Sequence, residues 1–509
     1  VTITSLETDS TPINLADADQ LLAQYTASEA LAESMIPLIG RLYRERHVVT
    51  SVYGQQILHR SVTTILKAHR FVRKIEESGL QVEETWPVLQ VLMSLPLAPS
   101  RIDIGKLAMK YKRSTACQPR ADDAQLRAFI EAEVKDALTT QDILPFAPQD
   151  VVLYGFGRIG RLLTRILIEK TGSGEALRLR AIVVRKNSDR DLQKRASLLR
   201  RDSIHGSFQG TICVDEEKDL LLINGNVVKV IYADDPQEID YTQYGIQSAL
   251  VVDNTGRWRD EASLRRHFDA VGVKRVLLTA PGKGVVKNIV YGVNQETLTP
   301  EDTIVSAASC TTNAITPVLK VLHETYGVME GHVETVHAYT NDQNLIDNFH
   351  KGSRRGRGAA LNMVITETGA AKAVGKVFPA LAGKLSGNAI RVPTPDVSLA
   401  ILNLTLETAV DTHKLNEFLR AVSLDSPLQK QIEFSNSSEA VSTDFVGNRR
   451  TGIVDAQSTV ANGKRAILYI WYDNEYGYSA QVVRLMQAMA GIRYPAFPRE
   501  MHVSAPHPF

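Results

Sequence analysis

The chain has 509 residues, 44% hydrophobic and 23% charged, with 58 basic against 57 acidic side chains and a net charge of +1. That length suggests about three domains and excludes neither enzyme nor binding protein, but the composition excludes a largely disordered chain. The charge balance argues against a dedicated nucleic-acid binder or a protein held to anionic membrane by charge, and no apolar run approaches the roughly 18 residues of a spanning helix.

The first 148 residues read as an all-α domain. Its N-terminus is polar and acidic (Glu7, Asp9, Asp17, Asp19) and does not read as a signal peptide. Leu21, Tyr25, Ala32, Met35, Ile39 and Leu42 share one helical face, which Pro37 is expected to kink or split. Leu58, Val62, Ile65, Val72 and Ile75 repeat the pattern, with Gly79 as a stop. A segment from Trp86-Pro87 ends at Pro96 and Pro99, and two further stripes follow, Ile104, Leu107, Tyr111 and Leu126, Ile130, Val134, Leu138. The expectation is a bundle of four or five helices. Lys106, Lys110, Lys112 and Arg113 gather in it and read as a solvated helix face before an anion or partner site. No metal-ligand spacing occurs. The front is expected to add a subunit contact or a regulatory surface.

Pro145 to Asp150 reads as a linker. From Val151 onward, β-branched runs (Val151–Leu153, Ala181–Val184, Leu250–Val252, Val276–Leu278) alternate with helical stretches, the pattern of βαβ units on a parallel sheet. Gly155-Phe156-Gly157-Arg158-Ile159-Gly160 sits between the first of these strands and an apolar helix. Glycines there let the backbone approach a pyrophosphate, and the helix supplies unpaired N–H groups, so a Rossmann-type dinucleotide site is expected. The second strand ends at Val184 and runs into Arg185-Lys186-Asn187-Ser188-Asp189-Arg190. Ser188 or Asp189 is positioned to face the adenosine ribose among three cations, an arrangement open to NAD or NADP.

Ser309-Cys310-Thr311-Thr312-Asn313 lies between a strand ending near Val305 and a helical stretch from Ala314 to Tyr326. Unpaired N–H groups at a helix start stabilise a thiolate and an oxyanion on an attacked carbonyl, so Cys310 reads as a nucleophile. The hydroxyls of Ser309 and Thr311 flank it for phosphate oxygens. His337, 27 positions on at the end of a probable strand, is the candidate base, expected to pair with the thiolate as an ion pair. The three cysteines, Cys117, Cys213 and Cys310, cannot form a disulfide framework and suit a reducing cytoplasm.

Together with Thr368-Gly369-Ala370-Ala371-Lys372-Ala373, Arg391-Val392-Pro393-Thr394-Pro395 and the run from Trp471 to Ser479, these motifs make the segment from Val151 to about Gly491 resemble phosphorylating glyceraldehyde-3-phosphate dehydrogenase. The resemblance implies a Rossmann NAD(P)-binding domain (149–309 and 474–491), an α+β catalytic domain (310–473) and a C-terminal tail (492–509). It implies that Cys310 attacks glyceraldehyde 3-phosphate, that His337 is its base, and that inorganic phosphate as co-substrate releases 1,3-bisphosphoglycerate from a thioester. It assigns Thr340 and Arg391 to the substrate phosphate, Ser309, Thr311, Thr368 and Gly369 to the attacking phosphate, and Arg355 to the pair of sites. It assigns Asn474 and Tyr478 to the nicotinamide, and Thr255-Gly256 to the adenine–pyrophosphate region. The likeness also implies a homo-oligomer, tetrameric in the family.

Several residues depart from that pattern. Tyr154 stands where an asparagine usually precedes the glycine loop, Ala314 replaces a frequent second cysteine, and Asn348-Phe349 and Ser188 favour relaxed or NADP-leaning cofactor use. The loop Gly282–Asn288 differs too, and ordinary members lack the whole front. Erythrose-4-phosphate dehydrogenase, a relative that releases a free acid, and a non-catalytic protein on the same fold are the alternatives. The intact phosphate residues favour the triose-phosphate activity.

Overall fold

Apolar residues at helical spacing do form helices in the front: Leu15–Arg46, Val62–Phe71, Val82–Ser94, Ile104–Thr115 and Asp123–Glu133. The computed structural model describes residues 15–74, 79–115, 123–138, 148–170, 176–352 and 354–499. These fall into two compact units, one made by the front with residues 494–499, the other by residues 148–493. Pro37 does not split the first helix. Ala32, Met35, Ile39 and Leu42 on either side of it are buried in one core, and that burial offsets the lost backbone bond.

The front is nevertheless not all-helical. Val48–Val52 and Ser100–Asp103 pair in parallel, Val48 opposite Ser100 through Ser51 opposite Asp103. Gln55–Gln56 pairs on one edge of this small sheet, and Ala496–Phe497 of the expected tail pairs on the other. The Asp103 carboxylate fixes the turn after the first strand by accepting from the Tyr53 and Gly54 amides at 2.9 and 2.7 Å. Each strand is only four or five residues long, and its partner is some 50 positions away, so no local alternation marks it. Of the basic residues in this unit, Lys110 pairs with Glu133 at 2.6 Å and Lys112 with Glu84 at 2.7 Å, as a solvated face would. Most of the expected linker lies outside the described residues; Gln149 and Asp150 already belong to a strand.

In the second unit, Gln149–Tyr154 runs near the middle of a nine-stranded sheet. It is parallel to Leu177–Val184 on one side and Ala249–Asp253 on the other. Val151, Val152 and Leu153 are fully buried, which explains an apolar run without alternation. The chain leaves this strand toward one side of the sheet and later returns on the other, opening a crevice above its carboxyl end. A second sheet of eight strands follows. Its central strand, Val328–Ala338, lies parallel to Leu385–Val392 and antiparallel to Ser398–Leu406. Helices Cys310–Tyr326, Ala370–Val377 and Thr412–Asp425 contribute to the core beside it. No helix among the described residues is long and apolar enough to cross a membrane.

A charged clamp joins the two sheets. His205, from the nucleotide-side sheet region, places Nε2 3.2 Å from Asp396 and 3.1 Å from Asp473. Arg158, in the glycine loop, bonds both Asp202 and Glu475. Among the described residues, His205, Asp396 and Asp473 are the one group whose donor atoms converge closely enough for a cation. Burial alone would discharge His205, but the two carboxylates beside Nε2 overcome it and push the imidazole up to about 10. The clamp is therefore held by a proton.

That proton stabilises the fold fully below pH 6.5, the ordinary imidazole value, and the contribution is lost as pH rises through about 10. Asp396 acts in the opposite sense, because burial raises its carboxyl to about 6 and its ionisation costs the folded state. Thermal unfolding at pH 7.5 and pH 9.5 is expected to show a larger fall in melting temperature for the native protein than for His205→Gln. Equal falls would remove the clamp's proton from the account.

Candidate active site

The turn that carries Cys310 is built by its neighbours. Ser309 caps the helix Cys310–Tyr326, its Oγ accepting from the Thr312 amide at 3.0 Å. Asn313 Nδ2 donates to the carbonyls of Ala307 and Ser309 at 2.8 and 2.9 Å. Ala308 has a φ of 55°, a left-handed conformation that costs a residue with a side chain about 1–2 kcal/mol. Tyr478 is buried and donates to the Ala308 carbonyl at 3.0 Å, holding that bend in place. The half-buried thiol thus stands at the start of the helix.

Strand register supplies the rest. In the parallel pair Val328–Ala338 and Leu385–Val392, His337 lies opposite Arg391. His337 Nε2 is 3.5 Å from Cys310 Sγ, and Nδ1 is 2.7 Å from the Ala338 carbonyl. That carbonyl can only accept, which favours a proton on Nδ1, the tautomer that leaves the Nε2 lone pair facing the thiol. Arg391 Nη1 donates to the same carbonyl at 2.9 Å and lies 2.6 Å from Nδ1. The guanidinium can only donate, so it bonds Nδ1 in the other tautomer; in either tautomer it presses a positive charge against the ring. Arg391 Nε is buried without a partner, a donor left over for an anion.

The charges follow from this geometry. Burial, then Arg391, pulls His337 down to about 4. Burial pushes the Cys310 thiol up, while Arg391 and Thr311 draw it back. The expected thiolate–imidazolium pair is therefore replaced by a neutral thiol and imidazole. The physical reason is the guanidinium beside the ring, which no spacing rule reveals. An anion on Arg391 would cancel that charge and let the proton move from sulfur to Nε2.

The other expected phosphate residues are only partly gathered. Thr340 donates to Asp342, and Arg355 bonds Asp342 at 2.8 Å and Thr366 at 3.1 Å, so one carboxylate joins residues assigned to both anion sites. Thr368 accepts from the Ala370 amide at 3.2 Å, and Gly369 precedes the helix Ala370–Val377 with nothing near its missing Cβ. The Thr311 residue is buried, and its hydroxyl lies 3.0 Å from the Tyr472 hydroxyl. Tyr472 also meets Thr335 at 2.7 Å. This buried Tyr472–Thr311–Thr335 link ties the helix to the sheet, and sequence reading missed it because a tyrosine in an alternating strand reads only as core.

On the nucleotide side, the glycine loop fits a dinucleotide. Gly155 has a φ of 94°, and a Cβ on Gly160 would lie 2.5 Å from the Gly155 carbonyl. A Cβ on Gly157 would meet nothing within 4 Å, so this position leaves room for a pyrophosphate at the start of the helix Arg158–Lys170. Phe156 is buried and Ile159 half-buried. The Arg158 side chain is not turned to the cofactor cradle; it is spent on Glu475 and Asp202. Thr255 is anchored to Asp253 through its amide at 2.8 Å, and Gly256 follows with a φ of 63°. Asn474 Oδ1 accepts from Ser398 at 2.8 Å, leaving its amide NH2 for a carboxamide oxygen. Ser188 is half-buried in the loop after the second strand.

Residues 149–261 match the family model for the glyceraldehyde 3-phosphate dehydrogenase NAD binding domain, and residues 309–474 match that for the C-terminal domain. A glyceraldehyde-3-phosphate dehydrogenase-like protein of Pseudomonas aeruginosa is 58% identical over 467 residues, 91% of this chain and all of that protein. The chain belongs to the glyceraldehyde-3-phosphate dehydrogenase family. Glyceraldehyde-3-phosphate dehydrogenases of Zymomonas mobilis and Bacillus subtilis are each 38% identical, over 67% and 68% of this chain and 98% of their own length. The Pseudomonas alignment necessarily reaches into the helical front, whereas the length of these two accounts for the dehydrogenase segment alone. As a member of this family, the chain carries an NAD(P)-binding Rossmann domain and is an oxidoreductase.

Proposed function

We propose that this protein is a phosphorylating glyceraldehyde-3-phosphate dehydrogenase, acting reversibly in the cytoplasm. The observation that carries the reading is the 3.5 Å approach of Cys310 Sγ to His337 Nε2, beside an arginine whose Nε has no partner. The C3 phosphate of the aldehyde is bound at Arg391 and Thr340, and its charge relieves the pressure of Arg391 on the imidazole. His337 then takes the thiol proton as sulfur bonds to the aldehyde carbon, and returns it to the oxygen, giving a thiohemiacetal on Cys310. The Cys310 amide at the helix start steadies that oxygen. Bound nicotinamide supplies the hydride acceptor, held by Asn474 and Tyr478. His337 takes the hydroxyl proton as the C–H electron pair leaves, and the product on Cys310 is a thioester. Inorganic phosphate, held by Ser309, Thr311, Thr368, Gly369 and Arg355, attacks the thioester carbon. The C–S bond breaks, and sulfur recovers its proton from His337.

A steady-state assay with glyceraldehyde 3-phosphate is expected to show turnover that requires inorganic phosphate. Cys310→Ser is expected to abolish it, and His337→Asn to lower kcat by about 10²–10⁴-fold. Turnover of either aldehyde phosphate that proceeds equally without inorganic phosphate would contradict the phosphorylating step and favour release of a free acid.

The same reading includes a homo-oligomer. The segment that carries Arg355 exposes Leu345, Ile346, Phe349, Leu361 and Met363, with Phe349 92% exposed. An apolar run of this kind is costly in water and is satisfied by a second copy of the chain. Phe349→Asp, which removes no internal contact of consequence, is expected to shift the protein to smaller species in sedimentation velocity; an unchanged distribution would count against this surface.

A further inference from the structure

Ser398 opens the strand Ser398–Leu406, which lies antiparallel to Val328–Ala338 on one side and to Arg465–Tyr472 on the other. His337 and Ala338 end the first of these neighbours, and Asn474 stands two residues beyond the second. The serine side chain is thereby set between the strand of the base and the residue assigned to the nicotinamide. Ser398 is only 1% exposed, so its proton and lone pairs must find partners inside the fold. Its Oγ accepts from the Ala338 amide at 3.1 Å and donates to Asn474 Oδ1 at 2.8 Å.

The backbone beside it is strained. Val397 has a φ of 61° and is buried. A β-branched residue is strongly disfavoured in that left-handed region, so the surrounding structure must hold it there, and such strain gathers where a neighbouring side chain has a task. The hold comes from the clamp. Asp396, which precedes Val397, and Asp473, which precedes Asn474, meet His205 Nε2 at 3.2 and 3.1 Å. Asp473 also accepts from the Glu475 and Tyr476 amides at 2.9 and 2.6 Å, fixing the backbone on the far side of Asn474. Ser398 and Asn474 are thus brought together by a clamp at their flanks. What that clamp leaves free is the half-turn of the Asn474 amide, which exchanges its donor and acceptor ends.

The serine decides that half-turn. A backbone amide can only donate, so the Ala338 bond occupies a lone pair of Oγ and leaves the Ser398 proton to find an acceptor. Asn474 Oδ1 supplies it. With the amide reversed, the proton would lose that acceptor, a costly exchange for a group so deeply buried. Nδ2, without a partner among the described residues, is left as the end that meets a bound group. We propose that Ser398 is a positioning residue for the nicotinamide, whose hydroxyl holds Asn474 with its NH2 outward, so that the site takes the carboxamide by its oxygen and not by its nitrogen. The inference rests on the dehydrogenase reading, in which Asn474 holds the carboxamide, and adds the residue that aims it. A ketone, which keeps the oxygen and lacks the NH2, then satisfies Asn474 as the carboxamide does.

The test is calorimetric binding to the full-length protein. The ligands are oxidised NAD, its 3-acetylpyridine analogue (a methyl ketone in place of the carboxamide) and ADP-ribose, which lacks the pyridine ring. Ser398→Ala is expected to raise the NAD dissociation constant about three- to tenfold and to leave that of ADP-ribose unchanged. In an Asn474→Ala background the same change is expected to have no further effect on NAD, because the serine acts through the asparagine. Asn474→Asp sets an acceptor where the NH2 stood and keeps one for Ser398. It is expected to weaken the ketone about fivefold more than NAD, which alone can turn an NH2 toward the carboxylate. No effect of Ser398→Ala on NAD, equal weakening of ADP-ribose, or an undiminished effect in the absence of Asn474 would overturn the proposal. An unchanged ratio of ketone to NAD affinity on Asn474→Asp would overturn it too, and that variant decides the question should Ser398→Ala not fold. Native affinity for NAD in Asn474→Ala would instead bring down the assignment of Asn474 itself, a result distinct from these.

Discussion

The reactive pair depends on one strand register. Val328–Ala338 and Leu385–Val392 lie parallel with His337 opposite Arg391, and this pairing alone brings an imidazole and a guanidinium side by side under the start of the helix that carries Cys310. A slip of either strand by one residue would turn its own side chain to the other face of the sheet and part the pair. The register is held on both flanks, by Ser398–Leu406 across an antiparallel ladder and by the buried Tyr472 hydroxyl between Thr311 and Thr335. Geometry fixed in this way has an electrostatic consequence. The unliganded pair is neutral, because burial and Arg391 disfavour charge on the imidazole, and the anion that completes the site is also what releases its base.

Much of this was legible from the chain. The glycine loop, the thiol at a helix start and the apolar strands each follow from local chemistry, and the family motifs extended them to Arg391 and Asn474. What escaped notice is non-local. Val48–Val52 and Ser100–Asp103 are too short to announce themselves, and their pairing depends on a partner elsewhere in the chain. The state of the Cys310–His337 pair escaped for the same reason, since the guanidinium that sets it is 54 positions from the histidine. Arg158 was read as a cofactor residue from its place in the glycine loop, yet its side chain serves the clamp with Asp202 and Glu475. Its backbone and its side chain have different tasks, and a motif records only the first.

That clamp shows how the nucleotide side and the catalytic side are kept in register with each other. His205, Arg158, Asp202, Asp396, Asp473 and Glu475 come from both sheets and share their charges in a buried space. Removing one member leaves its partners unpaired, which costs more than the pair contributes. Glu475 and Asp473 flank Asn474, so the same network that joins the sheets also sets the residue assigned to the nicotinamide carboxamide.

The central claim is that Cys310 carries the acyl group covalently between oxidation and release. The direct measurement is mass spectrometry of the protein mixed rapidly with glyceraldehyde 3-phosphate and oxidised cofactor while inorganic phosphate is withheld. A phosphoglyceroyl adduct on the peptide containing Cys310, discharged when phosphate is added, is the predicted result. Formation of reduced cofactor with no adduct at that peptide would contradict it.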